Sequence, residues 1–154
     1  MTSLTVDLSG DTRIVVRRRF RHPPARIFQA HVDPAIIPGW MTGPAEFSMP
    51  VCDCDARPGG SFRFEWTNGS VSFHATGEFI EVTPTSRIVH VERMFLPDRT
   101  PDNHVETLFA DDGNGGTLMT MTMTLPDAAT RAAMIATGMT DGMEESYARI
   151  DAMD

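Results

Sequence analysis

The segment Thr117-Leu-Met-Thr-Met-Thr-Met-Thr-Leu125 alternates without a break, so Met119, Met121 and Met123 share one side of an extended chain and Thr120, Thr122 and Thr124 the other. Period-two alternation marks a strand with one buried face. Such a strand needs hydrogen-bonding neighbours and cover over its apolar side. The neighbours can be read upstream. Phe47, Met49 and Val51 alternate, and the turn Arg57-Pro-Gly-Gly60 leads to the same-face row Phe62, Phe64 and Trp66. Asn68-Gly69 is a hairpin signal, because both residues tolerate positive φ. The return strand carries Val71, Phe73, Ala75, Gly77 and Phe79 on one side. Pro84 marks a further turn before Ile88–Phe95, and Asp112-Gly-Asn-Gly-Gly116 joins Val105–Ala110 to the final strand. Tight turns between neighbouring strands imply an antiparallel sheet.

The cover must come from the C-terminus. Asp127 is a good N-cap for a helix through Ala136, and Gly138 is expected to kink or split it. Beyond it, Met139, Met143, Tyr147 and Ile150 fall at i, i+4, i+8 and i+11, an apolar stripe that has to be buried. At the other end, Arg13–Phe20 reads as a half-buried strand. Ile14, Val16 and Phe20 face inward, Arg13, Arg17 and Arg19 outward, and Arg18 falls on the apolar side. His22-Pro23-Pro24 ends that strand, and Pro24 suits the first turn of a helix. Ile27, Phe28 and His31 then recur at helical spacing, and Asp33-Pro34 opens a second short helix over Ala35–Ile37, broken by Pro38-Gly39. Residues 1–11 read as a frayed or strand-leading tail. Residues 1–154 therefore read as one α+β domain: a curved antiparallel sheet of six to seven strands around a long C-terminal helix, with two short helices after the first strand.

Composition excludes several functions. With 41 % hydrophobic and 22 % charged residues the chain is globular, and its net charge of −8 opposes nucleic acid and anionic membrane alike. No run reaches the ~18 apolar residues of a membrane span, and the first residues lack the basic and apolar regions of a signal peptide. Cys52 and Cys54 are too close on an extended chain for a comfortable disulfide. Reduced thiols and a cytoplasmic location are expected. No metal ligand set, P-loop, dinucleotide fingerprint, GxSxG or HExxH stands in the sequence, so no cofactor and no metal are expected.

Several motifs, taken in order, resemble a known family. Arg18-Arg-Phe20 with His22-Pro-Pro-Ala-Arg-Ile-Phe28, the loop Trp40-Met-Thr-Gly-Pro44, the turn Asp55-Ala-Arg-Pro-Gly-Gly60, Gly77-Glu-Phe79 through Pro84 to Arg87-Ile88, and Gly116-Thr117 are similar to the START-like (SRPBCC, helix-grip) superfamily. The likeness is greatest to its branch of homologues of the activator of the heat-shock protein 90 ATPase. It runs from about Ile14 to the end. Two positions depart from that pattern: Met139 stands where a tryptophan usually follows the glycine, and Met41 replaces the second of a tryptophan pair. Flexible thioethers there imply a differently shaped pocket.

The resemblance implies a cavity between sheet and terminal helix; by residue type alone, the same side chains would fill an ordinary core. The expected lining is Trp40, Phe62, Phe64, Trp66, Phe73 and Phe79, with Met119, Met121 and Met123 from the last strand and Met139, Met143 and Tyr147 from the helix. Methionines repack around varied guests, which suits a small hydrophobic or amphipathic molecule such as a lipid or aromatic metabolite. Arg18, His90 and Glu92 are expected polar anchors. An inward Arg18 paired with a carboxylate such as Glu92 is equally a plain structural ion pair. The expected partner is thus a small apolar molecule, with no nucleic acid and no membrane insertion, and a homodimer is compatible with the pattern. Glu144-Glu145 reads as solvated surface. An enzyme of the polyketide cyclase or aromatase kind is the alternative, and needs two of Arg18, His74, His90, Glu92 and Glu106 to converge in the cavity. A third alternative is a co-chaperone stimulating the heat-shock protein 90 ATPase. It is disfavoured because the eukaryotic activator uses an additional N-terminal domain for which this chain has no room.

Overall fold

The computed structural model describes residues 4–154. Its strands are β1 (Thr5–Ser9), β2 (Arg13–Phe20), β3 (Ser48–Cys54), β4 (Ser61–Thr67), β5 (Ser72–Thr83), β6 (Arg87–Phe95), β7 (Asn103–Asp111) and β8 (Thr117–Thr124). Its helices are α1 (Pro24–Val32), a 3-10 turn at Ile37–Gly39, α2 (Ala128–Ala136) and α3 (Met139–Asp151). All eight strands form one antiparallel sheet in the order β1-β2-β8-β7-β6-β5-β4-β3. The segment carrying α1 crosses from one side of the sheet to the other, and the chain then meanders back strand by strand until β8 pairs with β2. Helix α3 closes over the face so formed, with Tyr147 and Ile150 buried in the core.

The α+β class, the antiparallel sheet and the long terminal helix match the expectation, and the strand count is the difference. Thr5–Ser9 is no frayed tail: it pairs along β2 from Thr5↔Arg17 to Ser9↔Arg13. Every residue of β1 is exposed, so no burial pattern announces it, and backbone pairing alone holds it. Residues 1–3 of the expected tail lie outside the described residues. The second short helix also differs. It is a single 3-10 turn over Ile37–Gly39, shifted past Ala35, because Asp33 Oδ1 accepts from the Ala35 amide at 2.9 Å and holds that stretch in a turn.

Other local signals act as read. Asp127 caps α2 by accepting from the Thr130 amide at 2.7 Å. Gly138, at φ 76°, splits α2 from α3. Gly77 makes room for its cross-strand neighbour: a Cβ there would stand 2.2 Å from the Phe62 ring and 2.3 Å from the Val91 carbonyl oxygen. Only glycine allows Phe62 to lie flat on β5.

Candidate functional site

Between the concave face of the sheet and the first half of α3 lies a cavity of about 360 Å3. Strand alternation builds its floor. Phe62, Phe64 and Trp66 of β4 point inward and are buried, and Phe73, Ala75 and Phe79 of β5 continue the same face. Met121 and Met123 supply the β8 side, and Met139, Met143 and Tyr147 the roof. The rim is the loop Trp40–Pro44, held from three directions. The Trp66 indole donates to the Met41 carbonyl at 2.8 Å, the Gly43 amide donates to Ser146 Oγ at 2.9 Å, and the Arg149 guanidinium donates to Thr42 Oγ1 at 2.9 Å and the Gly43 carbonyl at 2.6 Å. The Trp40 indole donates to the Ala30 carbonyl at 2.8 Å, so that ring is both packed and a wall.

All but one of the twelve expected apolar lining residues therefore meet at the cavity. The exception is Met119, which is wholly buried in solid core. It pairs with Phe109 in the ladder, where Phe28 of α1 packs on Phe109 at 5.9 Å between ring centroids, so this end of the face is already filled. Six methionines line the space: Met41, Met94, Met121, Met123, Met139 and Met143. Met94 was readable from its place on the His90–Glu92 face of β6.

The polar anchors divide. His90 and Glu92 line the cavity, with His90 Nε2 2.6 Å from Glu92 Oε1. Arg18 does not. It points inward from β2, but its guanidinium pairs with Glu144 at 2.9 Å and Asp151 at 2.7 Å, both from α3. It has no ion pair with Glu92, whose side chain lies on β6, away from the β2–β8 edge. The expectation of a solvated Glu144 fails for the same reason: it receives Arg18 and also the Leu4 amide at 2.7 Å, and only Glu145 is exposed. Hydrogen bonding to Arg18 holds the Glu144 carboxyl below its ordinary value. His74 stacks on Phe95 at 4.3 Å, away from the cavity, and Glu106 is engaged by Arg87 at 2.7 Å. Of the five candidate acid–base groups, of which at least two must converge, His90 and Glu92 share the cavity.

Among the polar lining residues not singled out from the sequence, which include Thr107 and Ser146, His31 carries the most chemistry. In the last turn of α1, it lies against Trp40 and Phe109 with centroids 4.9 and 5.0 Å apart, and its Nδ1 is 2.8 Å from the Ile27 carbonyl. Burial, opposed by that hydrogen bond and helped by nearby His90, pushes its pKa down to about 4. Its signal was the helical spacing with Ile27 and Phe28, which reads equally as core. Among the described residues, the buried Tyr147 hydroxyl has only the Met121 sulfur, at 4.0 Å, as partner. Burial first, and then the Glu92 charge, raise its pKa well above the usual phenol value. Cys52 and Cys54 are free thiols on β3, and burial pushes Cys54 up to about 12. Among the described residues, no helix is long and apolar enough to cross a membrane.

Comparison with known proteins agrees with this fold. A family model described as activator of Hsp90 ATPase homolog 1-like protein matches residues 21–153. A crystal structure of a Rhodobacter sphaeroides protein is similar at 27 % identity and a TM-score of 0.90, covering 97 % of both chains. One from Mycobacterium smegmatis reaches 0.85 at 24 % identity, covering 97 % of this chain and 95 % of that one. One from Nitrosomonas europaea reaches 0.81 at 18 % identity, covering 94 % and 95 % respectively. No curated protein matches.

Proposed function

The chain belongs to the family of activator of Hsp90 ATPase homolog 1-like proteins, within the START-like superfamily, and from that premise we propose that it is a carrier or sensor of a small hydrophobic molecule. The observation that carries this reading is the 360 Å3 cavity, walled by aromatic rings and six methionines. That volume is at the small end of the usual range for ligand sites, and unbranched thioethers adapt to a guest at little energetic cost. Free thiols at Cys52 and Cys54 suit a cytoplasmic setting.

Binding to the folded state raises the melting temperature by mass action. Thermal-shift and native mass spectrometry against fatty acids, flavonoids and polyketide-like aromatics should find a stabilising guest. Met121→Trp should fill the cavity and abolish that stabilisation while leaving a folded protein. A full screen without one stabilising compound overturns the carrier reading.

The His90–Glu92 pair favours one second reading, an enzyme that moves a proton on an aromatic or polyketide-like guest. A new isomer of a bound polyketide-like compound, separated by chromatography, that Glu92→Gln abolishes would establish it, and return of every bound compound unaltered would refute it.

A further inference from the structure

The polar groups of the cavity restrict the head group a guest can bring, if the carrier reading holds. The chain contains no lysine, so every permanently charged side-chain cation is an arginine, and among the described residues no arginine lines the cavity. The two inward guanidiniums nearest to α3 are engaged elsewhere, Arg18 by Glu144 and Asp151 and Arg149 by the rim loop. The one acidic side chain on the cavity wall is Glu92, and it is paired with His90. An acid entering this apolar space would lose its hydration, meet no counter-charge and face a like charge.

Beside the hydroxyls of Thr107, Ser146 and Tyr147, the wall offers two open acceptors. The Ile27 carbonyl can only accept, so His31 Nδ1 carries the proton in that 2.8 Å contact. With its pKa near 4 the ring is neutral at pH 7, which leaves a lone pair on Nε2. Nε2 makes no hydrogen bond to the described residues, and it is not among the sealed-in polar atoms. Glu92 Oε1 is taken by His90, and Oε2 is not engaged. An alkylammonium guest would have to be desolvated against this single, partly engaged carboxylate, a costly arrangement.

We infer that the cavity selects an uncharged aromatic guest bearing a hydrogen-bond donor, a phenol-type hydroxyl directed at His31 Nε2, and rejects acids of the same shape. The hydroxyl satisfies the imidazole lone pair, while Phe62, Phe64, Trp66 and Phe79 take the ring system by edge and face contacts.

Four probes of one shape test this at pH 7.5: 2-naphthol, 2-methylnaphthalene, 2-naphthoate and 2-naphthylmethylammonium, each titrated calorimetrically. The naphthol should bind about tenfold tighter than the hydrocarbon, the scale of one net hydrogen bond. Neither ion should bind measurably. His31→Phe keeps an aromatic ring against Trp40 and Phe109 and should erase the tenfold preference. Should that variant not fold, Glu92→Gln is the second arm. It should raise naphthoate affinity to a measurable level, because the like charge is gone. Equal affinity for naphthol and hydrocarbon would overturn the head-group inference and leave the carrier reading standing. So would tighter binding of either ion, and so would a tenfold preference that survives in His31→Phe. If none of the four binds and the wider screen is also blank, both readings fall together.

Discussion

The C-terminal half of α3 is a packed, ion-paired joint, whereas its N-terminal half is the roof of a cavity, although one apolar stripe runs along both. In the second half Ser146, Tyr147 and Ile150 are buried, Tyr147 closes the inner end of the cavity while meeting Phe20 edge-on at 5.5 Å, and Asp151 together with Glu144 at mid-helix clasps Arg18. In the first half Met139, Gly142 and Met143 border open space and none is fully buried. The difference comes from what lies between helix and sheet. Helix α1 and the Trp40 loop fill the far end with Ile27, Phe28, Ile37 and Trp40, and no element fills the near end. Holding one half of a helix rigidly lets the other half stand away from a sheet without collapsing onto it.

The strongest break of this contrast uses two methionines on one strand face. Met119, wholly buried at the packed end, should lose about 4 kcal/mol when cut to alanine, since a cavity is left in solid core. Met121 borders space already open, and its truncation should cost only about 1 kcal/mol, mostly its own lost burial. Urea unfolding of the two variants measures both. Equal losses would mean that the two ends are packed alike.

Arg18→Met tests the joint. Removing one member of an inward ion-paired cluster leaves Glu144 and Asp151 facing each other. A loss of roughly 2–3 kcal/mol is expected, below the range for a fully buried pair because the carboxylates keep 30 % and 22 % exposure. Acid separates this joint from the cavity. The Glu144 carboxyl sits below its ordinary 4.5 in the folded protein. Its stabilisation is therefore full above pH 4.5 and is lost as pH falls through the folded value, where the unfolded chain binds the proton first. His31 acts earlier: its folded value of about 4 lies below the ordinary 6.5, so stability declines as pH falls from 6.5 towards 4. Stability measured against pH should lose its lower limb in Arg18→Met and its upper limb in His31→Phe. An unchanged acid profile in both would show that neither group is linked to folding in this way.

The sheet, the helix split at Gly138 and eleven of the twelve apolar wall residues were legible because alternation and helical spacing report directly which side of an element is buried. The rest depended on what covers each face. Met119 and Met121 share a face and a chemistry, and only the position of α1 over one of them separates core from cavity wall. Strand phase placed Arg18 inward, but its partners lie at positions 144 and 151, and no local pattern links a strand to a helix so far along the chain. Strand β1, exposed on both sides, carries no alternation to read. His31 looked like one more residue on an apolar helix face, because spacing cannot report which ring nitrogen stays open.

The smallest effect concerns the hinge that separates the two kinds of helix. Gly138 adopts φ 76° with nothing within 4 Å of where a Cβ would stand, so Gly138→Ala introduces backbone strain and no clash. The expected loss is about 1 kcal/mol. Its consequence should be local. Helix α2 has no buried residue, so the strain is relieved most easily by moving α2 and the first turn of α3, which carries Met139 at the cavity. Amide exchange should therefore quicken in 128–143 and stay at parent rates around Tyr147 and Ile150, where the Arg18 joint holds the helix. Exchange that quickens evenly along α3 would mean that the two halves move as one body, and the contrast between joint and roof would not hold.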